Sequence, residues 1–191
     1  LINKAGFDTI YHEHRNYFSE NSLHKLFNSQ NIKIIKIEKI NYMSGSLRVY
    51  AKNSSKNIKF KKMKVLGFNK IIQFEKNMFI IKKKIREFVF KMIKQKKIVV
   101  GIGAATKGNT LLNFCGLTSN EISFILDKSK LKIGKYTPGS CIKILDENHY
   151  KDFQALIILP WNISGYLIKK FVKKTKRPYI SVQNIVTKLK K

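Results

Sequence analysis

The sequence predicts an α/β protein whose second half is a parallel, doubly wound sheet. Three observations carry this. Apolar, strand-like runs at 98–102, 121–127 and 155–162 alternate with helix-like segments. A glycine-rich stretch, Gly101 to Thr110, follows the first run and opens a helix. An amphipathic segment over 70–96 separates this half from a different pattern nearer the N-terminus, helix–strand–turn–strand.

Taken in order, residues 7–18 (FDTIYHEHRNYF) form a polar and aromatic cluster. A helix follows, with Ser19 as N-cap, Leu23, Leu26 and Phe27 on one face, and an end near Gln30–Asn31. Residues 32–40 (IKIIKIEKI) alternate apolar and charged side chains, as a half-buried strand does, and 46–51 (SLRVYA) form a second strand. Ser44-Gly45 marks the turn between them. Two strands and one helix cannot bury both of their faces, so this unit reads as the closing part of a larger sheet. A Lys- and Asn-rich connection over 52–69 leads into the long helix, whose Ile71, Phe74, Met78, Ile81, Ile85, Phe88 and Met92 recur at steps of three and four. The second half then runs strand, glycine turn, helix, a strand ending in Asp127, a GKYTPG loop, a buried strand stopped by Pro160, a helix over 163–174, and a short last strand, YISV.

Composition bounds the function. The 191 residues suffice for one ordinary domain or two small ones. With 43% apolar and 12% aromatic residues the chain is no disordered tail. The net charge of +28 first suggests a nucleic-acid-binding module, but only four of the 39 cations are arginine, the residue that base readout and bidentate phosphate grips favour. Lys, Ile and Asn together make up 78 residues, all with AT-rich codons, so the lysines read mainly as solvated surface and nucleic acid is not the expected partner. Two cysteines, Cys115 and Cys141, make neither a disulfide scaffold nor a four-cysteine zinc site, and they suit a reducing, cytoplasmic compartment. No apolar run reaches membrane-spanning length. The chain starts at Leu1 and is expected to be part of a longer protein.

Several constellations could carry chemistry. Tyr11-His12-Glu13-His14, with Tyr17 close behind, gathers proton-handling groups. A histidine can remove a proton near neutral pH, a glutamate can orient it, and a tyrosine can hydrogen-bond an enolate oxygen. The same residues would also serve as a surface and capping cluster before the helix. The Gly101–Thr110 turn suits phosphate at a helix N-terminus, yet it fits neither stock pattern. The dinucleotide fingerprint needs glycine where Thr106 stands, and the Walker A pattern needs lysine where Asn109 stands. Asp127 would meet a ribose hydroxyl or simply close a strand-end turn. Arg48, in a strand, would seek an anion or face solvent. Trp161-Asn162 lies at a strand's carboxyl end, where open α/β sheets hold ligands, or else covers the core. Cys115 reads as a small core residue. A nucleotide- or NAD-binding oxidoreductase domain is the alternative enzyme reading, and the missing third glycine speaks against it.

Five blocks in order, FDTIYHEHRNYFS, SGSLRVYAKN, GIGAATKGNTLLNFCG, DKSKLKIGKYTPGSCIKI and ILPWN, resemble the S-adenosylmethionine-dependent C-methyltransferases of nucleotide-linked deoxysugars over nearly the whole chain. One departure is Met43-Ser44-Gly45-Ser46, where that family more often has a Gly-Gly-Ser run. The resemblance implies the end of a class I methyltransferase (Rossmann-like) sheet over 1–52, a linker and long helix over 53–97, and a second Rossmann-like domain over 98–191. It implies that Tyr11, Glu13 and His14 match a Y-x-E-H active-site pattern, with His14 as base, Glu13 orienting it, and Tyr11 on the sugar or its enolate oxygen. It places Lys107, Gly108, Asn109 and Thr110, together with Arg48, on the nucleotide-diphosphate sugar. The S-adenosylmethionine site and a zinc-binding domain are expected upstream of Leu1, no metal is expected in this chain, and the full-length enzyme is expected to be monomeric.

Overall fold

The computed structural model describes residue 2 and residues 5–40, 45–54, 67–173 and 175–189, with backbone only at 149 and 150. Ser44 and most of the connection over 52–69 lie outside the described residues. Ser19 caps α1 (Glu20–Ser29) as its sequence requires. Its hydroxyl accepts the Ser22 N–H, and the Ser22 hydroxyl accepts the Ser19 N–H in return. Leu23 is the buried member of the expected face, whereas Leu26 is exposed.

Strands β1 (Ile32–Ile40) and β2 (Ser46–Asn53) pair antiparallel. The alternation read in β1 is broken by its Ile34-Ile35 doublet, which cannot keep period two. The ladder absorbs the extra residue as an irregularity between Ile34 and Lys36, and Ile35 is left 62% exposed. Gly45 enters β2 at φ +109, backbone that side-chain-bearing residues rarely adopt.

Helix α2 (Phe68–Lys94) sits two residues earlier than its pattern suggested. The apolar seam docks mainly by its C-terminal half. Ile81, Ile85, Val89 and Met92 are buried, Phe74, Met78 and Phe88 partly so, and Ile71 is exposed.

The second half is the doubly wound parallel sheet. Strands β3 (Val99–Ile102), β4 (Ile125–Asp127), β5 (Ile144–Asp146), β6 (Ala155–Ile158) and β7 (Tyr179–Ser181) lie in the order β5-β4-β3-β6-β7. Alternate residues feed two cores. Val99, Ile125, Ala155 and Ile157 meet α2, α3 (Thr106–Cys115) and α5 (Val182–Leu189). Val100, Ile102, Leu126, Leu156 and Ile158 meet Leu167, Phe171 and Val172 on the opposite face.

Four expectations are corrected. The strand expected over 121–127 is confined to Ile125–Asp127, because the Glu121 carboxylate accepts the Thr118 N–H and hydroxyl and folds the preceding residues into a turn. The run at 155–162 leaves the sheet after Ile158, ahead of Pro160, which has no N–H to donate. The helix expected over 163–174 is α-helical only in α4 (Ser164–Leu167) and then widens into a π turn over Ile168–Val172. Strand β5 and helix α5 are additional to the elements expected, and Val182, expected in the last strand, begins α5.

Candidate active site

The N-terminal segment supplies the reactive groups and the second half holds it. Phe7–Thr9 forms a single 3₁₀ turn. Phe7 enters the main core, its ring 4.8 Å from that of Phe114 on α3. Asp8 is 1% exposed, and its Oδ2 accepts a hydrogen bond from the indole N–H of Trp161, just past β6. The Thr9 hydroxyl donates to the Gly6 carbonyl at 2.8 Å and closes the turn.

The Thr9 carbonyl then becomes the hub of the histidine cluster. It accepts the Tyr17 hydroxyl at 2.7 Å and the Tyr11 N–H at 3.1 Å, and it lies 2.8 Å from His14 Nδ1. A carbonyl oxygen only accepts, so Nδ1 carries the hydrogen and the neutral ring keeps its lone pair on Nε2. The Tyr11 hydroxyl lies 3.3 Å from that Nε2. Desolvation, then the charge of Glu13, pushes the Tyr11 hydroxyl above the ordinary tyrosine value and keeps it a donor. Tyr11 and His14 thus stand together as expected. Glu13 does not touch His14; its exposed carboxylate lies 4.0 Å from His12. The orienting partner expected of Glu13 is the Thr9 carbonyl, which no side-chain pattern announces. Tyr17 was visible in the cluster, but its role was not.

The glycine turn is occupied by its own fold. Gly103 has φ +85, and a Cβ there would meet Pro160 Cγ at 2.6 Å. Asp127 spends both oxygens on backbone, accepting the N–H of Ala104 and of Ser129, each at 2.8 Å. The Lys132 amine crosses the same turn to the Ala104 carbonyl at 2.8 Å. Asp127 is therefore the strand-end turn residue rather than a free ribose ligand.

The four residues expected on a diphosphate are not presented together. Lys107 is 7% exposed, with its Nζ 5.8 Å from the Trp161 ring centroid and without a hydrogen-bond partner. Gly108 is buried against Leu159. Asn109 and Thr110 are half-buried; Asn109 receives the Asn113 amide, and the Thr110 hydroxyl donates back to the Thr106 carbonyl. Arg48 is more than half exposed on β2 and faces Glu38 across the ladder at 3.8 Å. A hydrogen bond from Lys36, supported by Tyr50 and Arg48, holds the Glu38 carboxyl below its ordinary value. Among the described residues, no group of three His, Cys, Asp or Glu could hold a metal ion, and no helix is long and apolar enough to cross a membrane.

Fold and loop together define an α/β domain that carries a tyrosine–histidine pair at its N-terminal edge. Residues 42–178 match the family described as C-methyltransferase C-terminal domain, and the chain belongs to that family. It is similar to C-methyltransferase NovU of Streptomyces niveus, with 32% identity over 183 residues that cover 88% of this chain and 43% of that protein. The chain thus spans less than half the length of this curated relative.

Proposed function

We propose that this chain is the C-terminal portion of an S-adenosylmethionine-dependent C-methyltransferase that methylates a ring carbon beside the keto group of a nucleotide-linked sugar. In this reading residues 1–52 close the methyltransferase domain, 53–97 link, and 98–191 form the C-terminal domain. The family match and the likeness to a C-methyltransferase support the reaction class. The observation that carries the mechanism is the Thr9 carbonyl on His14 Nδ1 at 2.8 Å, because it leaves Nε2 as the basic nitrogen.

His14 Nε2 takes the acidic proton from the carbon next to the carbonyl. The C–H electron pair becomes the enolate double bond, and the carbonyl π pair moves to oxygen. The resulting imidazolium keeps its Nδ1–H on the Thr9 carbonyl, which holds the ring still through the transfer. The Tyr11 hydroxyl turns away from Nε2, whose lone pair now holds the proton, and donates to the enolate oxygen. Desolvation first, and the charge of Glu13 second, raise the Tyr11 hydroxyl above its ordinary value, so that it stays a donor. S-adenosylmethionine would supply an electrophilic methyl group. The glycine turn of the second half is not open to it: Gly103 packs on Pro160, and Asp127, the strand-end acid, is committed to backbone. The steps assigned to this chain therefore stop at the enolate.

The test is His14→Asn in the enzyme containing this chain. Loss of roughly 10²–10⁴-fold in turnover, together with loss of solvent-hydrogen exchange at the sugar carbon, supports the assignment. Near-normal exchange moves the base elsewhere.

A further inference from the structure

A doubly wound sheet holds its ligands outside the carboxyl ends of its strands, where the strand order reverses. Here that point lies between β3 and β6, which pair side by side while their chain connections lead to opposite edges of the sheet. The groups beyond the two strand ends are Lys107, in the first turn of the helix after β3, and Trp161, directly after β6. Both address one side chain, Asp8. The Trp161 indole N–H donates to Asp8 Oδ2, and the Lys107 charge acts on the same carboxyl.

We propose that Asp8 is a positioning residue: the carboxyl ends of β3 and β6 grip its side chain where such a sheet ordinarily holds a ligand, and through Thr9 that grip fixes the ring of His14. The importance assigned to His14 rests on the function proposed above; the grip itself does not.

Three observations support this. Asp8 and Lys107 are buried charged residues, and Asp8 Oδ1 and Lys107 Nζ each lack a hydrogen-bond partner, an arrangement that packing alone would replace with apolar side chains. Desolvation pushes the Asp8 carboxyl above its ordinary value against the opposing pull of Trp161 and Lys107, so the site holds the acid at a cost. The path to His14 is short and stiff. Asp8 adjoins Thr9, the Thr9 hydroxyl and N–H both bind the Gly6 carbonyl, and the Thr9 carbonyl takes His14 Nδ1–H. The crevice that would receive a nucleotide receives this protein's own reactive loop instead.

The test reads the tautomer of His14 by nitrogen NMR of isotope-labelled histidine in this chain, at a pH where the ring is neutral, with the signal assigned by its loss in His14→Asn. The wild type is expected to show the Nδ1–H form in excess. Asp8→Ala and Trp161→Phe are expected to shift the ring toward the Nε2–H form favoured by an untethered histidine side chain, while sheet amides stay folded. Asp8→Asn combined with Lys107→Met keeps an acceptor for Trp161 without either charge and is expected to restore the wild-type tautomer. In the enzyme, Asp8→Ala is expected to lower kcat on the order of 10²-fold, with KM within about twofold. If Asp8→Ala or, should that variant unfold, Trp161→Phe leaves the tautomer unchanged in a folded chain, the proposal is overturned. Because the tautomer is read without turnover, an error about the reaction would not disturb this result.

Discussion

The imidazole of His14 is tied by Nδ1 to the main-chain carbonyl of Thr9 at 2.8 Å, and that same oxygen receives the hydroxyl of Tyr17 at 2.7 Å. A main-chain tether does not titrate and cannot be removed by substituting its own side chain. Its geometry can be disturbed through the groups that hold Thr9 in place or through the neighbours that share its carbonyl.

Tyr17 is the accessible neighbour. Tyr17→Phe removes one donor from the Thr9 oxygen, and the net worth of such a bond is about 0.5–1.5 kcal/mol. The ring is about half exposed, so water can take the hydroxyl's place and the loss belongs toward the lower end. The expected outcome is a fall of about two- to fivefold in kcat of the enzyme, with KM unchanged. A fall beyond about 10²-fold would mean that Tyr17 itself meets the substrate.

Gly108 tests how the glycine turn is built. In an exposed helix, glycine to alanine gains about 1 kcal/mol. Here a Cβ at 108 would lie 2.7 Å from Leu159 Cβ and 3.3 Å from the Gly103 carbonyl. Overpacking of that kind costs roughly 1–3 kcal/mol and outweighs the helix gain. Gly108→Ala is expected to lower the urea midpoint. Gly108→Ala with Leu159→Gly should lose less than the two single variants summed, because the second change removes the Leu159 Cβ that the first would strike.

Much of this fold was legible because its strongest signals are local. Ser19 with Ser22 makes a cap, Val99–Ile102 and Ala155–Ile158 are continuous apolar runs, and the α2 seam has a helical period over many residues. What escaped was short or nonlocal. Strand β5 is three residues, Ile144–Asp146, held by pairing with β4 rather than by its own pattern. The Ile34-Ile35 doublet gives no hint of which isoleucine will be expelled until the register with β2 is known. At the site, the Tyr11–His14 pair was readable from its residue types, but its anchor is a carbonyl, which every residue possesses. Asp8 and Trp161 are 153 positions apart, so no spacing rule joins them.

The two cysteines should separate cleanly by reactivity. The thiolate is the nucleophile, and burial pushes the Cys115 thiol up to about 12, while Cys141 is exposed. Native chain treated with a thiol reagent at mildly alkaline pH is expected to release one equivalent quickly. The second equivalent should appear only on unfolding, and Cys141→Ser should abolish the fast phase. Fast reaction of both would place Cys115 outside the core.

Asp8 gives the last prediction, in stability against pH. Its carboxyl is raised in the folded chain above the ordinary aspartate value of 3.8, first by desolvation. Between 3.8 and the raised value the folded chain binds more protons at this site than the unfolded chain does. The contribution is therefore fully present below 3.8 and is lost as pH rises through the folded value. Asp8→Asn stands in for the protonated acid and does not titrate. Lys107 faces residue 8 in both proteins, and Glu38, whose lowered value produces the opposite slope, is common to both and cancels. The expected result is a stability gap between Asp8→Asn and wild type that is small at the acid end and widens in favour of the variant toward neutral pH. Urea unfolding of the two chains across that range measures it. A gap that instead turns toward wild type as pH rises would mean that the Trp161 N–H and the Lys107 charge outweigh burial, and that the carboxylate is held in its charged form.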